Sequence, residues 1–277
     1  MKQEGDNILH FATLASGSSG NAILVGEGEK SFLIDCGISA KRLLENLNLI
    51  QVPPSQIKGI LVTHEHVDHI KGIGVLARKL KIPILATPGL WEEMASLVGK
   101  IEPEQHIEIA SEVVLAGLQV KLFSTSHDSR ESYGMRIERE VLGQRFLSLG
   151  IATDTGIITE EMHQNLKGCD ALIVEANHDK ERLWQGRYPW HLKKRISGKY
   201  GHLENSQLAE GLVEWVKGNT QRVVLAHLSE ENNTPETALA TVLNILRHSA
   251  VSQENPELRL RVAPRHIPHE LIYLREH

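Results

Sequence analysis

Residues 59–69 read Gly59-Ile60-Leu61-Val62-Thr63-His64-Glu65-His66-Val67-Asp68-His69, an apolar run that stops at a cluster of imidazoles and carboxylates. Ile60 to Thr63 are apolar or β-branched, the make-up of a buried strand. Helical spacing resumes over Lys71 to Lys81. Imidazole and carboxylate are ligands for zinc, manganese and iron, and ligands at a strand end can converge on one point. His64 and His66, two apart on an extended backbone, project to the same side and can grip one metal. Asp68 and His69 fall on the turn into the next helix and point at a second position. A solvated polar loop is the ordinary reading of a histidine after a strand. Four ligand-type side chains within six positions favour a metal site instead.

The chain around this run has 277 residues, 41% of them apolar and 23% charged, as in ordinary globular proteins. No apolar run approaches the ~20 residues of a membrane span. The start, Met1-Lys2-Gln3-Glu4-Gly5-Asp6, is acidic and unlike a signal peptide, so a cytoplasmic protein is expected. Cys36 and Cys169 lie far apart, which argues against a disulfide framework or a Cys-type zinc knuckle. The formal charge of −5 argues against a uniformly basic nucleic-acid binder while leaving room for a local basic strip.

Strands are expected at Ile8 to Ala15, Ala22 to Val25 and Ser31 to Ile34, with a small-residue turn, Ser16-Gly17-Ser18-Ser19-Gly20-Asn21, after the first. Ser39 can cap a helix over Ala40 to Leu49. Short strands follow at Ile84 to Ala86, Ile107 to Ile109, Val113 to Leu115, Val120 to Phe123, Tyr133 to Ile137 and Phe146 to Ile151, with a helix from Pro88. Again and again a strand ends at polar groups: Phe123 before His127, Ile151 before Asp154, Val174 before Glu175 to His178, and Ala226 before His227. That repetition describes a site at one rim of a sheet. Asp35, helix, strand, His64 in the first half is echoed by Asp154, helix, strand, Glu175 to His178 in the second. Two β-rich halves with outer helices give the expected architecture, an α/β (α+β) fold built as a four-layer αββα sandwich, one domain over 1–277.

The residues so assembled resemble the metallo-β-lactamase fold hydrolases. His64-x-His66-x-Asp68-His69 matches their signature, and Asp35, His127, Asp154 and His227 follow in the expected order. The resemblance implies that His64, His66 and His127 hold one divalent metal ion and Asp68, His69 and His227 a second, with Asp154 between them. Asp35 is implied to orient a ligand by hydrogen bonding. His66 stands where the oxygen-reducing diiron branch has glutamate, which disfavours redox chemistry. About 73 residues separate Asp154 from His227, too few for a β-CASP insertion. Leu14 to Asn21, Glu175-Ala176-Asn177-His178-Asp179, Gly201-His202-Leu203 and His227-Leu228-Ser229 followed by Asn232-Asn233 are similar to the YycJ/WalJ subfamily. Its members are thought to be cytoplasmic 5′-to-3′ DNA exonucleases with a link to DNA repair. The family's usual Ser-Asn after the third motif is Glu204-Asn205 here, a departure that bears on position 204 and not on His202.

Such a site implies phosphodiester hydrolysis by a hydroxide held between two cations about 3.5–4 Å apart, which also stabilise charge on the phosphoryl oxygens. Asp68 is the natural group to orient or deprotonate the water. His202 is expected to contact the phosphate or protonate the departing oxygen, against the plainer reading of a loop or capping histidine. Ser18, Ser19 and Asn21 can cradle a phosphate, or simply turn a hairpin. For His178 a substrate contact competes with a structural hydrogen bond.

Lys180 to Tyr200 carries Lys193, Lys194, Arg195 and four further cations against one acid, interleaved with Trp184, Tyr188, Trp190 and Tyr200. Cations and aromatic faces suit a single-stranded nucleic-acid end, although a solvated basic helix would read the same way. The expected activity is therefore a nuclease with a nucleic-acid substrate, DNA in the manner of the family it resembles, and with two divalent ions of zinc, manganese or iron. A small-molecule phosphodiesterase, or less readily a thioesterase or lactonase, is the alternative enzyme. A non-catalytic nucleic-acid binding module is the alternative from another class.

Overall fold

The computed structural model describes residues 8–141 and 145–275; the acidic start lies outside them. In chain order the elements are β1 (Leu9–Ala15), β2 (Ala22–Glu27), β3 (Lys30–Ile34), α1 (Ala40–Leu49), β4 (Ile57–Leu61), α2 (Val67–Ile70), α3 (Ile73–Leu80), β5 (Ile84–Ala86), α4 (Pro88–Val98), β6 (His106–Glu108), β7 (Glu112–Leu115) and β8 (Leu118–Ser124). They continue as β9 (Tyr133–Val141), β10 (Arg145–Ala152), α5 (Glu160–Leu166), β11 (Ala171–Glu175), α6 (Lys180–Gln185), α7 (Trp190–Ile196), α8 (Asn205–Trp215), β12 (Arg222–Ala226), α9 (Pro235–Arg247), α10 (Val251–Glu254), β13 (Arg259–Val262) and β14 (Ile272–Tyr273).

Two seven-stranded sheets form, ordered β14-β1-β2-β3-β4-β5-β6 and β13-β12-β11-β10-β9-β8-β7. Each is antiparallel through one half and parallel through the other, beginning at β3 in the first and β10 in the second. Parallel neighbours need crossover helices, so α1, α3 and α4 cover the first sheet and α5, α8 and α9 the second. The inner faces meet in an apolar layer that includes Phe11, Phe32, Ile137 and Leu149. Each outer face packs its own helices, through Leu43, Leu76 and Met94 on one side and Met162, Leu212 and Val242 on the other. The result is the expected αββα sandwich. Burying one such Leu or Ile side chain contributes ~1.5–3 kcal/mol.

Ligands of open α/β sheets gather at the carboxyl ends of parallel strands. Here β3 runs into Asp35, β4 into the run from His64 to His69, β10 into Asp154 and β12 into His227. β8 lies antiparallel to β9, and β9 to β10, so β8 delivers His127 to the same rim. Asp35, Asp154 and His227 all have left-handed backbone, with φ of 61°, 57° and 54°. Left-handed backbone is rare outside glycine and concentrates at functional sites.

Two local differences from the sequence pattern matter. β4 ends at Leu61 rather than Thr63, because the Thr63 N–H is taken by the Asp35 carboxylate and not by a neighbouring strand. Asp68 and His69 lie within the one-turn helix α2 rather than on a turn before it. At Gly37 a Cβ would stand 1.5 Å from the Asp68 carbonyl oxygen, so only glycine lets this segment cross beneath α2.

Candidate metal centre

Asp35 starts the construction. It is buried; its Oδ1 accepts the Thr63 N–H at 2.9 Å, and its Oδ2 accepts the Thr63 hydroxyl and His69 Nδ1, each at 2.7 Å. A proton on His69 Nδ1 leaves Nε2 facing Asp154 Oδ2 at 3.3 Å and Asp68 Oδ2 at 3.8 Å. His227 is held in the same manner: its Nδ1 lies 2.8 Å from Glu175 Oε1, and its Nε2 faces Asp154 Oδ1 at 3.5 Å and Asp68 Oδ2 at 3.8 Å. His127 Nδ1 donates to the Gly201 carbonyl at 3.1 Å, which turns Nε2 toward His66 Nδ1 at 3.3 Å.

Among the described residues the ligand-type atoms fall into overlapping groups, each lying within 4.8 Å: His64, His66 and His127; Asp68, His69 and His227; His64, His69 and Asp154; and Asp154, Glu175, His202 and His227. His64 Nε2, His227 Nε2 and Asp154 Oδ2 are buried without a hydrogen-bond partner. Leaving such atoms unpaired costs about 1–3 kcal/mol apiece, and all three belong to these groups, so the residues fit divalent cations.

The electrostatics agree. Burial disfavours charge on His69, but Asp154 and Asp35 hold it well above the ordinary imidazole value. For His227, burial is likewise outweighed by Asp154, Asp68 and Glu175, which bring it to about 10. Burial also penalises the Asp154 carboxylate, yet His227 and His69 keep it well below its usual range. His64 goes the other way, pushed well below 6.5 by burial and by His69. A cage that retains positive charge so strongly suits metal ions, which would displace the protons.

Sequence reasoning missed Glu175 as a site residue. Fully buried at the end of β11, it accepts from His202 Nδ1 at 2.7 Å, His227 Nδ1 at 2.8 Å and the Thr155 N–H at 3.0 Å. Burial alone would raise its pKa; His202 and His227 bring it down to about 2. The available signal was a glutamate closing an otherwise apolar strand. Asp128 was missed too: its Oδ1 stands 3.4 Å from His127 Nε2, and its Oδ2 accepts from Arg195 Nε at 2.6 Å. His202 is part-exposed, with Nδ1 3.9 Å from Asp154 Oδ1 and its ring 5.0 Å from that of His127.

Among the expected substrate residues, Ser18 and Ser19 are exposed at the turn tip and Lys194 and Arg195 on α7. Asn21 is buried: Oδ1 accepts the Gly17 N–H at 2.8 Å and Nδ2 lies 3.0 Å from His69 Nε2, so it braces the turn against a ligand residue. Ser16 Oγ accepts the His227 N–H at 2.7 Å in the same brace. Two expectations are corrected. Lys193 is buried, its ammonium spent on the Trp184 and Gly186 carbonyls at 2.8 and 2.7 Å, and cannot reach a phosphate from there. His178 is 1% exposed and pushed by burial to about 4, so it offers neither surface nor charge to a substrate.

Residues 30–228 match the family described as a Beta-lactamase superfamily domain. The chain is 38% identical over 240 residues to Exodeoxyribonuclease YycJ of Bacillus anthracis, covering 86% of this chain and 89% of that one. It belongs to the metallo-β-lactamase superfamily. Exodeoxyribonuclease WalJ of Streptococcus pneumoniae is 37% identical over 240 residues, 85% of this chain and 87% of that protein. The metallo-β-lactamase fold protein YhfI from Bacillus subtilis superposes with a TM-score of 0.70 at 16% identity, over 95% of this chain and 99% of that one. Like other metallo-β-lactamase hydrolases, this protein is a metal-dependent hydrolase, and its His and Asp clusters are able to hold the metal. No helix among the described residues is long and apolar enough to cross a membrane.

Proposed function

We infer that the protein is a cytoplasmic nuclease that hydrolyses DNA from the 5′ end. His64, His66 and His127 would hold one divalent cation, Asp68, His69 and His227 a second, and Asp154 would stand between them. When bound, the cations supply an activated water and offset charge on the phosphoryl oxygens. The protein's own groups supply the proton traffic. Asp68, part-exposed with Oδ2 toward His69 and His227, would orient the water and take its proton. His202, its Nδ1 fixed by Glu175, would give a proton to the departing oxygen from Nε2.

The observation that carries this reading is the Glu175–His202 pair. A histidine anchored on a buried carboxylate, beside the cation cluster but not needed in it, is a proton donor for an alkoxide leaving group. The polymer assignment draws on the exposed rings of Trp190 and Tyr200, with Lys194 Nζ 5.2 Å above the first and Lys199 Nζ 5.4 Å above the second. Aromatic faces beside cations suit unpaired bases and phosphates. The two relatives' names, both exodeoxyribonucleases, support DNA.

The test is incubation of metal-loaded protein with end-labelled single- and double-stranded DNA and RNA, alongside a chromogenic phosphodiester. Nucleotide release from DNA 5′ ends is expected. Hydrolysis of the small ester alone would overturn the nuclease reading in favour of a small-molecule phosphodiesterase.

A further inference from the structure

Two concavities adjoin the metal centre. One, about 270 Å³, is lined by Ser18, Tyr188, Leu192, Arg195, Ile196 and His202 among others. The other, about 510 Å³, includes His127, Arg130, Lys199 and Tyr200 in its walls. Small-molecule sites run from about 300 to 1,000 Å³, so the first lies at the small end of that range. Its chemistry is mixed in the way a nucleotide is mixed. Tyr188, Leu192 and Ile196 present an aromatic ring and aliphatic surface for a base, Ser18 an exposed hydroxyl for the sugar, and Arg195 a cation. Asp128 grips Arg195 through both Nε and a terminal guanidinium nitrogen at 2.6 Å, and also lies 3.4 Å from His127, so the cation is set between pocket and ligands.

We propose that this pocket receives the one terminal nucleotide that is cut off, while the continuing strand lies along the Arg130, Lys199 and Tyr200 side. The proposal rests on the nuclease reading and adds why digestion would go one nucleotide at a time. It turns on His202, which lines the small pocket and not the large groove. The group that accepts a proton from His202 is the one that leaves, so the leaving fragment occupies the His202 side. In the balanced step, the water oxygen forms a bond to phosphorus and the water's proton passes to Asp68. The bond from phosphorus to O3′ of the pocketed nucleotide breaks with its electron pair on O3′, which takes the proton from His202. The released nucleotide carries a 3′-hydroxyl, the shortened strand keeps the phosphate at its 5′ end, and the site is ready for the next residue.

The experiment pairs a binding measurement with product analysis. Equilibrium dialysis of deoxyadenosine 5′-monophosphate against chelator-treated protein reads the pocket without turnover. Tyr188→Ala is expected to weaken that binding about tenfold, and Tyr188→Phe to stay within about twofold, because stacking on the ring carries the contact. Ser18→Trp, at an exposed position on the pocket rim, is expected to fill the pocket and weaken binding at least as much. With loaded wild-type protein and a 5′-phosphorylated single-stranded oligonucleotide, the first labelled product is expected to be a mononucleotide with a 3′-hydroxyl. Equal binding by wild type, Tyr188→Ala and Ser18→Trp would overturn the proposal. First products of two or more nucleotides, or a 3′-phosphate on the released nucleotide, would overturn it and leave the nuclease reading standing. Absence of any DNA cleavage beside an active small-ester hydrolysis would remove both.

Discussion

Asp35 in the first half of the molecule and Glu175 in the second do the same thing by different means. Each is a buried carboxylate at or just beyond the end of a parallel strand. Each takes a threonine backbone N–H, from Thr63 and Thr155, and each fixes Nδ1 of one ligand-type histidine, His69 and His227. Asp35 then spends its spare capacity on the Thr63 hydroxyl, whereas Glu175 spends it on His202. The shorter side chain, on strained left-handed backbone, makes a holder and nothing more. The longer one, on regular strand, ties a metal-type ligand and the proposed proton donor, His202, to the same oxygen. On this reading the first half binds and the second half both binds and reacts.

That difference is open to attack, and the largest effect lies between the halves. Asp154 faces His69 on one side and His227 on the other, so Asp154→Ala is expected to lower kcat/KM by more than about 1,000-fold and to cost at least one metal equivalent. Full occupancy by two ions in elemental analysis would break the bridging assignment. Glu175→Gln comes next, at about 100- to 1,000-fold, because it loosens two histidines together. Asp35→Asn should cost about 10- to 100-fold, since an amide offers a donor where His69 itself donates. The sharpening measurement is rescue: excess metal should restore much of Asp35→Asn and little of Glu175→Gln. Equal rescue would erase the proposed division of labour. His202→Ala should reduce kcat on DNA by about 100-fold or more while leaving metal content unchanged. On a nitrophenyl phosphodiester, whose leaving group needs no proton, the loss should be less than about fivefold.

The same contrast explains what could be read from the sequence. The layers, the crossovers and the ligand-type residues were legible because strands announce themselves by apolar runs, and the polar groups that end them are local in sequence. Glu175 fell on the rim by the same pattern but without a role, because a glutamate ending an apolar strand also looks like a strand reaching solvent; only the fold shows His202, His227, Thr155 and Leu203 converging on it. Composition also hides orientation. Lys193, Lys194 and Arg195 are adjacent cations, but successive helical residues point about 100° apart, and α7 turns Lys193 inward while its neighbours face out. His178, where a substrate contact competed with a structural hydrogen bond, is buried, bridged to Glu204 with its carbonyl accepting the Asn205 N–H.

The smallest expected effect compares the halves through their thiols. Burial, with the Asp35 carboxylate beside it, raises Cys36 to about 12. Burial raises Cys169 as well, but Arg136, whose Nη1 lies 3.4 Å from the sulfur, holds it to about 11. In both, the folded thiol stays protonated above pH 9.0, the ordinary thiol value, while the unfolded one ionises. Alkali therefore favours the unfolded chain, and stability should fall between pH 9 and 11 by up to ~1.4 kcal/mol per pH unit for each thiol. Cys36→Ala and Cys169→Ala should each flatten that fall in denaturant titrations, and near neutral pH neither wild-type thiol should react with a small disulfide reagent. Profiles unchanged by either substitution between pH 9 and 11 would mean that burial does not hold these thiols protonated.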